Sequence, residues 1–425
     1  MKKIYLLSGI VAILATPVLA AIKMPDINVT GEIRARGIET NNTSDFKDVG
    51  TTAAPYADDN SYAQTRVRVN LDSKLSDNVA ARVGLQYGDM NWNTPQETIH
   101  EIQASTKIRH AYLTISNILS DIIPADLSMT LGRQAIGTKD RELVLFNDSI
   151  DAKICKLTKD LGVGDLAITG ICAVVADVTG SPTGNNADTK IQGITGSLAL
   201  PMGANVGGYY LRQTIQNPID NLVDKNNVLG VKVDGSMEIA STVNYFFEYA
   251  KQSGSITQGV GAGTERDASA LRIGGGYKTE LASLGAVAVE GSYLSMSGDD
   301  VATDTTNKTY SGIARDLDYY TQLVDIVGGV LVKANGLKVI NVNTSIAPDA
   351  LKGVTLGFSY TNFTSAEKVN NEDGIGSEID LTCSYKVNEK TTVDGCYARF
   401  SPGDAYPTTM QDSATMLKCQ LVTKF

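Results

Sequence analysis

The sequence predicts an all-β chain closed into a transmembrane, antiparallel, up-and-down β-barrel of about 18 strands. Three observations carry this expectation. Apolar and polar residues alternate along most of the chain, connections alternate between long and short, and the sequence closes on an amphipathic stretch ending in Phe425.

The alternation is clearest in "RVRVNLDSKLSDNVAARVGLQYGD", Arg66 to Asp89. Successive strand side chains point to opposite faces, so Arg66, Arg68, Asn70, Asp72 and Lys74 share one face and Val67, Val69 and Leu71 the other. A three-residue turn at 76–78 then sets Leu75 opposite Val79, Leu71 opposite Val83 and Val67 opposite Tyr87, apolar against apolar. A soluble sheet with one wet face shows the same pattern, so this hairpin alone leaves both readings open.

The opening "MKKIYLLSGIVAILATPVLA" has Lys2 and Lys3, an apolar run from Ile4 to Ala15, and Val18-Leu19-Ala20 at a cleavage position. It predicts a secretory signal peptide over 1–20, leaving 21–425 as the barrel. No later apolar run reaches the ~18 residues of a membrane-spanning helix. The longest, "LAITGICAVVADV" at 166–178, is too short. Removing Lys2 and Lys3 moves the formal charge from −10 to −12, and a net acidic chain argues against nucleic acid as a partner. No linker or shift in composition marks a domain boundary.

Amphipathic strands are predicted at 27–38, 64–75, 79–89, 105–116, 127–135, 150–160, 165–177, 190–199 and 205–214. They continue at 227–234, 238–250, 269–278, 285–296, 337–347, 354–363, 377–387, 392–400 and 413–425. The stretches 105–116 and 165–177 alternate poorly and invite register slips. After odd-numbered strands the connections are long, as at 39–63, 215–226, 251–268, 297–336, 364–376 and 401–412. After even-numbered ones they are mostly short, as at 76–78, 161–164, 200–204, 235–237 and 388–391. Long loops at one end and tight turns at the other mark an outer-membrane barrel, and closure leaves no unpaired edge in lipid. In "MLKCQLVTKF" Leu417, Cys419, Leu421 and Thr423 share a face with the final Phe425, the pattern that outer-membrane assembly machinery engages.

A family resemblance follows from three stretches. "KIRHAYLTI" carries Arg109, Ala111 and Tyr112, and "LSMTLGRQAIG" carries Leu131, Gly132, Arg133 and Gln134. "GSEIDLTCSYKVNEKTTVDGCYARFSPG" carries Glu378, Ile379, Asp380, Phe400, Pro402 and Gly403. In this order they resemble the alginate-export family of bacterial outer-membrane porins. The resemblance implies an eighteen-stranded barrel in the outer membrane.

Charge on a barrel's lipid face costs ~2–4 kcal/mol near the midplane, so basic strand residues are expected to line the lumen. That assigns Arg34, Arg36, Arg66, Arg68, Arg82, Arg109, Arg212 and Arg272 to the pore wall, with Glu32, Asp72, Glu248, Glu290, Glu378 and Asp380 also inward. The expected function is passive diffusion of small or anionic solutes, with uronate-type saccharides as one class and lipid as the surroundings. A general non-selective pore and a secreted adhesin or lectin are the alternatives. No enzyme, cofactor or metal is expected. The only histidines are His100 and His110, outside any catalytic motif, and the acidic stretch 297–307 reads as solvated.

Two further expectations concern the insertion 297–336 and the five cysteines. Within "RDLDYYTQLVDIVGGVLVKANG", 315–336, period two gives way to helical spacing, which predicts an inward-folded plug or short helix. Cys155 faces Cys172 if Val163-Gly164 centres its turn, but parity separates Cys383 from Cys396, so free thiols are favoured.

Overall fold

The computed structural model describes residues 26–43, 46, 60–88, 106–137, 143–144, 147–178, 187–217, 222–258, 263–282, 284–300, 304–313, 321–324, 334–369 and 371–425. The signal peptide at 1–20 and His100 lie outside these residues.

The strands are β1 (Ile27–Asn41), β2 (Asn60–Lys74), β3 (Val79–Gly88), β4 (Lys107–Ile115), β5 (Asp126–Ile136), β6 (Asn147–Asp160) and β7 (Asp165–Val178). There follow β8 (Ala187–Leu200), β9 (Ala204–Asn217), β10 (Leu222–Glu238), β11 (Thr242–Gln258), β12 (Thr264–Leu281) and β13 (Gly285–Met296). The chain ends with β14 (Thr306–Asn307), β15 (Leu337–Ala347), β16 (Val354–Val369), β17 (Glu372–Lys386), β18 (Thr391–Pro402) and β19 (Ala414–Lys424). Each long strand pairs antiparallel with its neighbours in sequence, and β1 pairs with β19, so eighteen strands close a barrel. Only β14 stands apart, a two-residue parallel bridge to β12.

The first hairpin has the register its pattern demands: Val67 faces Tyr87, Leu71 faces Val83, and the Leu75 amide donates to the Val79 carbonyl at 2.9 Å. The poorly alternating stretches carry irregularities. The β3–β4 register shifts beyond Gly84, leaving Arg109 as the extra residue of a bulge, and β7–β8 shifts between Val174 and Ala176.

Two expectations about connections are corrected. The turn expected at 235–237 lies at 239–241, because β10 runs on through Gly235 to a Glu238–Thr242 pair. Gly235 is there to make room: a Cβ would stand 2.6 Å from the Tyr245 hydroxyl. Three loops expected at 215–226, 251–268 and 364–376 shrink to 218–221, 259–263 and 370–371. Their ladders continue above the point where apolar alternation stops, with inner residues such as Asn226, Gln252, Ser365 and Ile375 buried against folded loop, because backbone pairing there does not need an apolar outer face.

The outer face carries an apolar belt. Val29, Ile33, Leu229, Val231, Ile340 and Leu381 are all exposed outward. Such a contiguous apolar exterior is stable only against lipid.

The interior is not polar throughout. On the inner face of β6 to β10, Ile150, Ile171, Ile191, Leu211 and Val228 are almost fully buried. Loop residues Leu143, Tyr310 and Ile313 belong to the same buried cluster. Parity therefore inverts in this arc, with oil inside under a roof of folded loop and polar side chains outside.

Candidate functional site

The inner faces of β1, β2 and β3 build a cationic arc. Antiparallel pairing sets Arg34 opposite Arg66, Glu32 opposite Arg68, Arg36 opposite Gln64, Arg68 opposite Gln86 and Asp72 opposite Arg82. All share the parity of Ile38 and Thr40, which are buried, and not that of Val29 and Ile33, which are exposed. Arg66 donates to Glu32 at 2.5 Å, and Arg82 grips Asp72 at 2.5 and 2.8 Å. Arg36 and Arg68 donate through Nε to Gln64 and Gln86 at 2.7 and 2.8 Å, neutral partners that orient the guanidinium groups. Five guanidinium groups (Arg34, Arg36, Arg66, Arg68, Arg82) meet two carboxylates (Glu32, Asp72), so the arc carries a net charge of three positive.

Beside the arc the wall opens. The β4–β5 ladder runs only from the Ile115–Met129 pair to the Ala111–Arg133 pair, and Gly132 there has φ +124°, with no room for a Cβ against the Ala111 carbonyl. Above that point a cavity of about 430 Å³ is lined by Arg68, Gln86, Lys107, Arg109 and Arg133, with Ser149 bonding the Arg109 carbonyl at 2.8 Å. The bulge thus delivers Arg109 to Arg68, a meeting that strict alternation does not provide.

Elsewhere on the wall, on β17 beside the arc and on β11 across the lumen, inward carboxylates hold folded-in loop. Glu378 on β17, only 1% exposed, accepts the backbone N–H groups of Gln322, Leu323 and Val324 at 2.8, 2.7 and 2.9 Å. Lys418 on β19 donates to the Gln322 side chain. Glu248 on β11 accepts from the Tyr209 hydroxyl at 2.7 Å and the Leu143 amide at 3.0 Å. Asn226 and Gln252, also inward, bind the Gly312 carbonyl and Ser311. The insertion between β13 and β15 thereby touches two separate arcs of the wall. Most of 315–336, where helical spacing was expected, lies outside the described residues.

Of the eight arginines expected inward, Arg34, Arg36, Arg66, Arg68 and Arg82 come together in the arc, and Arg109 joins through the bulge. Arg272 is inward but distant, on β12, 4.4 Å above the Phe246 ring and 3.8 Å from Glu248. Arg212 is a correction. It is exposed, shares the face of Val206 and Tyr210, and alternates with buried Tyr209 and Leu211, so it points outward. Polarity implies the lumen only within the apolar belt, and Arg212 lies above it, where the roofed interior is the apolar side. Sequence reasoning missed Lys107, whose placement depends on the bulge, while Arg133 borders the cavity from the outer face, ion-paired with exposed Asp151. His110 is buried beside the Tyr112 ring, 6.2 Å away. The cysteines are free thiols: Cys155 stands opposite Gly170, Cys172 opposite Lys153, Cys383 opposite Gly395 and Cys396 opposite Thr382.

No family model and no curated protein sequence matches the chain. Solved structures do. It is similar to OccK9 (OpdG) of Pseudomonas aeruginosa, with a TM-score of 0.58 and 13% identity over 94% of this chain and 98% of that one. OccK8 (OprE) of the same organism gives 0.56 and 13% over 94% and 98%. A BenF-like porin from Pseudomonas fluorescens gives 0.57 and 10% over 94% and 99%. The alginate-export resemblance is corrected accordingly: the similar folds are Occ-type and BenF-like porins. Its motif residues have plain structural duties, as Gly132 shows with its positive φ and Glu378 with its bound loop. The fold is that of a bacterial outer-membrane porin, and its closed, apolar-belted barrel puts the chain in the outer membrane.

Proposed function

We propose that the barrel is a passive channel for small solutes in which the arc of β1–β3 favours anions, acidic sugars among them. The observation that carries this is the arc's net charge of three positive, extended by Lys107 and Arg109 around the adjoining cavity. Lined clefts with low-dielectric walls focus such a field and raise the local concentration of the opposite charge. The opposing carboxylates are less available, since Glu378 and Glu248 are occupied by backbone donors of the in-folded loops. The test is reversal potential in planar bilayers under a salt gradient. Arg66→Glu, Arg68→Glu and Arg82→Glu together change the arc from three positive to three negative, because each swap removes two units of charge. Cation preference is the expected result, with heat-modifiable gel migration confirming a folded barrel. Selectivity that stays that of the parent would make the protein a general diffusion porin instead.

A further inference from the structure

The inverted arc leaves cations on the outer surface of the barrel. On β6 to β9, Lys153, Cys172, Gln192 and Arg212 form one transverse row, each paired to the next and each exposed. Lys190 stands two residues further along β8, opposite Val174 and also exposed. With strands ~4.8 Å apart, Lys153 and Arg212 are about 14 Å from one another. A shallow groove of about 470 Å³ lined by Asp151, Lys153, Cys172, Val174, Lys190 and Gln192 runs across β6 to β8, with Arg212 on the adjacent strand at its edge. Among its described lining residues the one carboxylate, Asp151, is held by Arg133 Nε and Nη2 at 3.2 and 3.1 Å, while Lys153 and Lys190 supply two cations.

The height of the patch identifies what it meets. Lys153, Lys190 and Arg212 lie 8, 11 and 9 residues from the nearest ends of the short turns at 161–164 and 201–203. At ~3.3 Å per residue and a tilt of about 40°, that is roughly 20–28 Å above the turn end. The apolar band of such barrels is ~25 Å tall, so the patch sits at its far rim. The residues just below, Ile194 and Tyr210, are apolar and exposed, while the row itself is polar. Long loops of outer-membrane barrels are extracellular, so this rim is level with the headgroups of the outer leaflet. Ammonium and guanidinium groups at that height, directed into lipid rather than lumen, match a phosphate ester.

We propose that this outward groove binds the phosphate of an outer-leaflet lipid headgroup. Lys153 and Lys190 flank the phosphate, Arg212 bonds it from the next strand, and the acyl chains descend over Ile194 and Tyr210. This is independent of what passes through the lumen.

The test uses the full chain in detergent, with retained lipid counted by native mass spectrometry. The probe is lipid A carrying both phosphates, against its dephosphorylated form and against inorganic phosphate as competitor. The parent is expected to retain the phosphorylated lipid, and Lys153→Glu with Lys190→Glu to weaken retention about tenfold or more. Should that double variant not fold, Arg212→Gln carries the same prediction at about threefold. Equal retention by the variant, or of the dephosphorylated lipid, overturns the proposal. So does displacement by inorganic phosphate at concentrations comparable to the lipid, which would make the site a small-anion site. Ion selectivity of the double variant in neutral bilayers should equal that of the parent, which separates this outcome from a failure of the channel reading.

Discussion

Removing Glu378 should unfasten the segment folded into the lumen. Its carboxylate takes three backbone N–H groups at 2.7–2.9 Å, from Gln322, Leu323 and Val324. A hydrogen bond to a charged group contributes ~1.5–3 kcal/mol net, but bonds sharing one acceptor are not additive and lumenal water re-solvates the freed donors. A working figure of ~3 kcal/mol for Glu378→Ala shifts the docked-to-undocked ratio by roughly 150-fold. Glu378→Gln is finer. Oε1 serves Gln322 and Leu323, whereas Oε2 serves Val324 alone, so an amide keeps two bonds and sets N–H against N–H at the third. That loss is ~1.5 kcal/mol, about tenfold. The Lys418 contact and the burial of Leu323 persist in both variants, so undocking should be intermittent. Single-channel recording in planar bilayers reads this directly. Mean conductance and open-level noise should rise from parent to Gln to Ala. If the Ala variant migrates as a folded barrel and yet shows parental conductance and noise, the segment lies outside the permeation path and the reasoning fails.

Three other perturbations have defined outcomes. Tyr406, between β18 and β19, is buried against the Phe46 ring 5.2 Å away, and burial pushes its phenol up to about 12. Its folded value exceeds the unfolded ~10, so its contribution is intact below pH 10 and is lost as pH rises towards 12. An alkaline absorbance titration of parent minus Tyr406→Phe should show one late-titrating tyrosine, and no such difference would contradict the packing. Gly230→Ala would set a Cβ 2.2 Å from the Tyr209 ring, which lies across that glycine to reach Glu248. The displaced ring and lost hydroxyl bond should lower thermal stability by about 2 kcal/mol, an effect absent in a Tyr209→Ala background, which removes the ring. Peptide mass spectrometry without reduction should find all five cysteines unlinked, and a Cys383–Cys396 linkage would disprove the β17–β18 register.

Period two makes strands legible wherever one face meets lipid, and every strand expected from it lies within or overlaps a long strand of the barrel. The same signal put the five arginines of β1–β3 on one face, and the paired strands keep them there. It failed at Arg212 and at the β10–β11 turn for one reason. Outside the belt, above it at Arg212 and below it at the turn, hydrophobicity no longer labels the faces, so neither the end of a strand nor the direction of a polar side chain is written in the pattern. Lys107 escaped notice because a bulge, which no periodicity records, brings it to the cavity. The weak alternation of 105–116 was the available hint.

Apart from β13–β15, nearly all of the barrel's ladders join strands that follow closely in sequence, but the β1–β19 ladder pairs Ile33 with Thr423, 390 residues away. Chain-closure entropy grows as the logarithm of loop length, so this ladder costs about 4 kcal/mol more to initiate than a four-residue hairpin. Neighbouring hairpins can form in any sequence, yet all routes converge on the same final zipping step, which makes it the natural rate-limiting barrier. Until then β1 and β19 are two open edges of one curved sheet. A chain halted there is a template for strand exchange with a second copy. Residues flanking that junction should therefore govern how fast the barrel forms more than how slowly it comes apart.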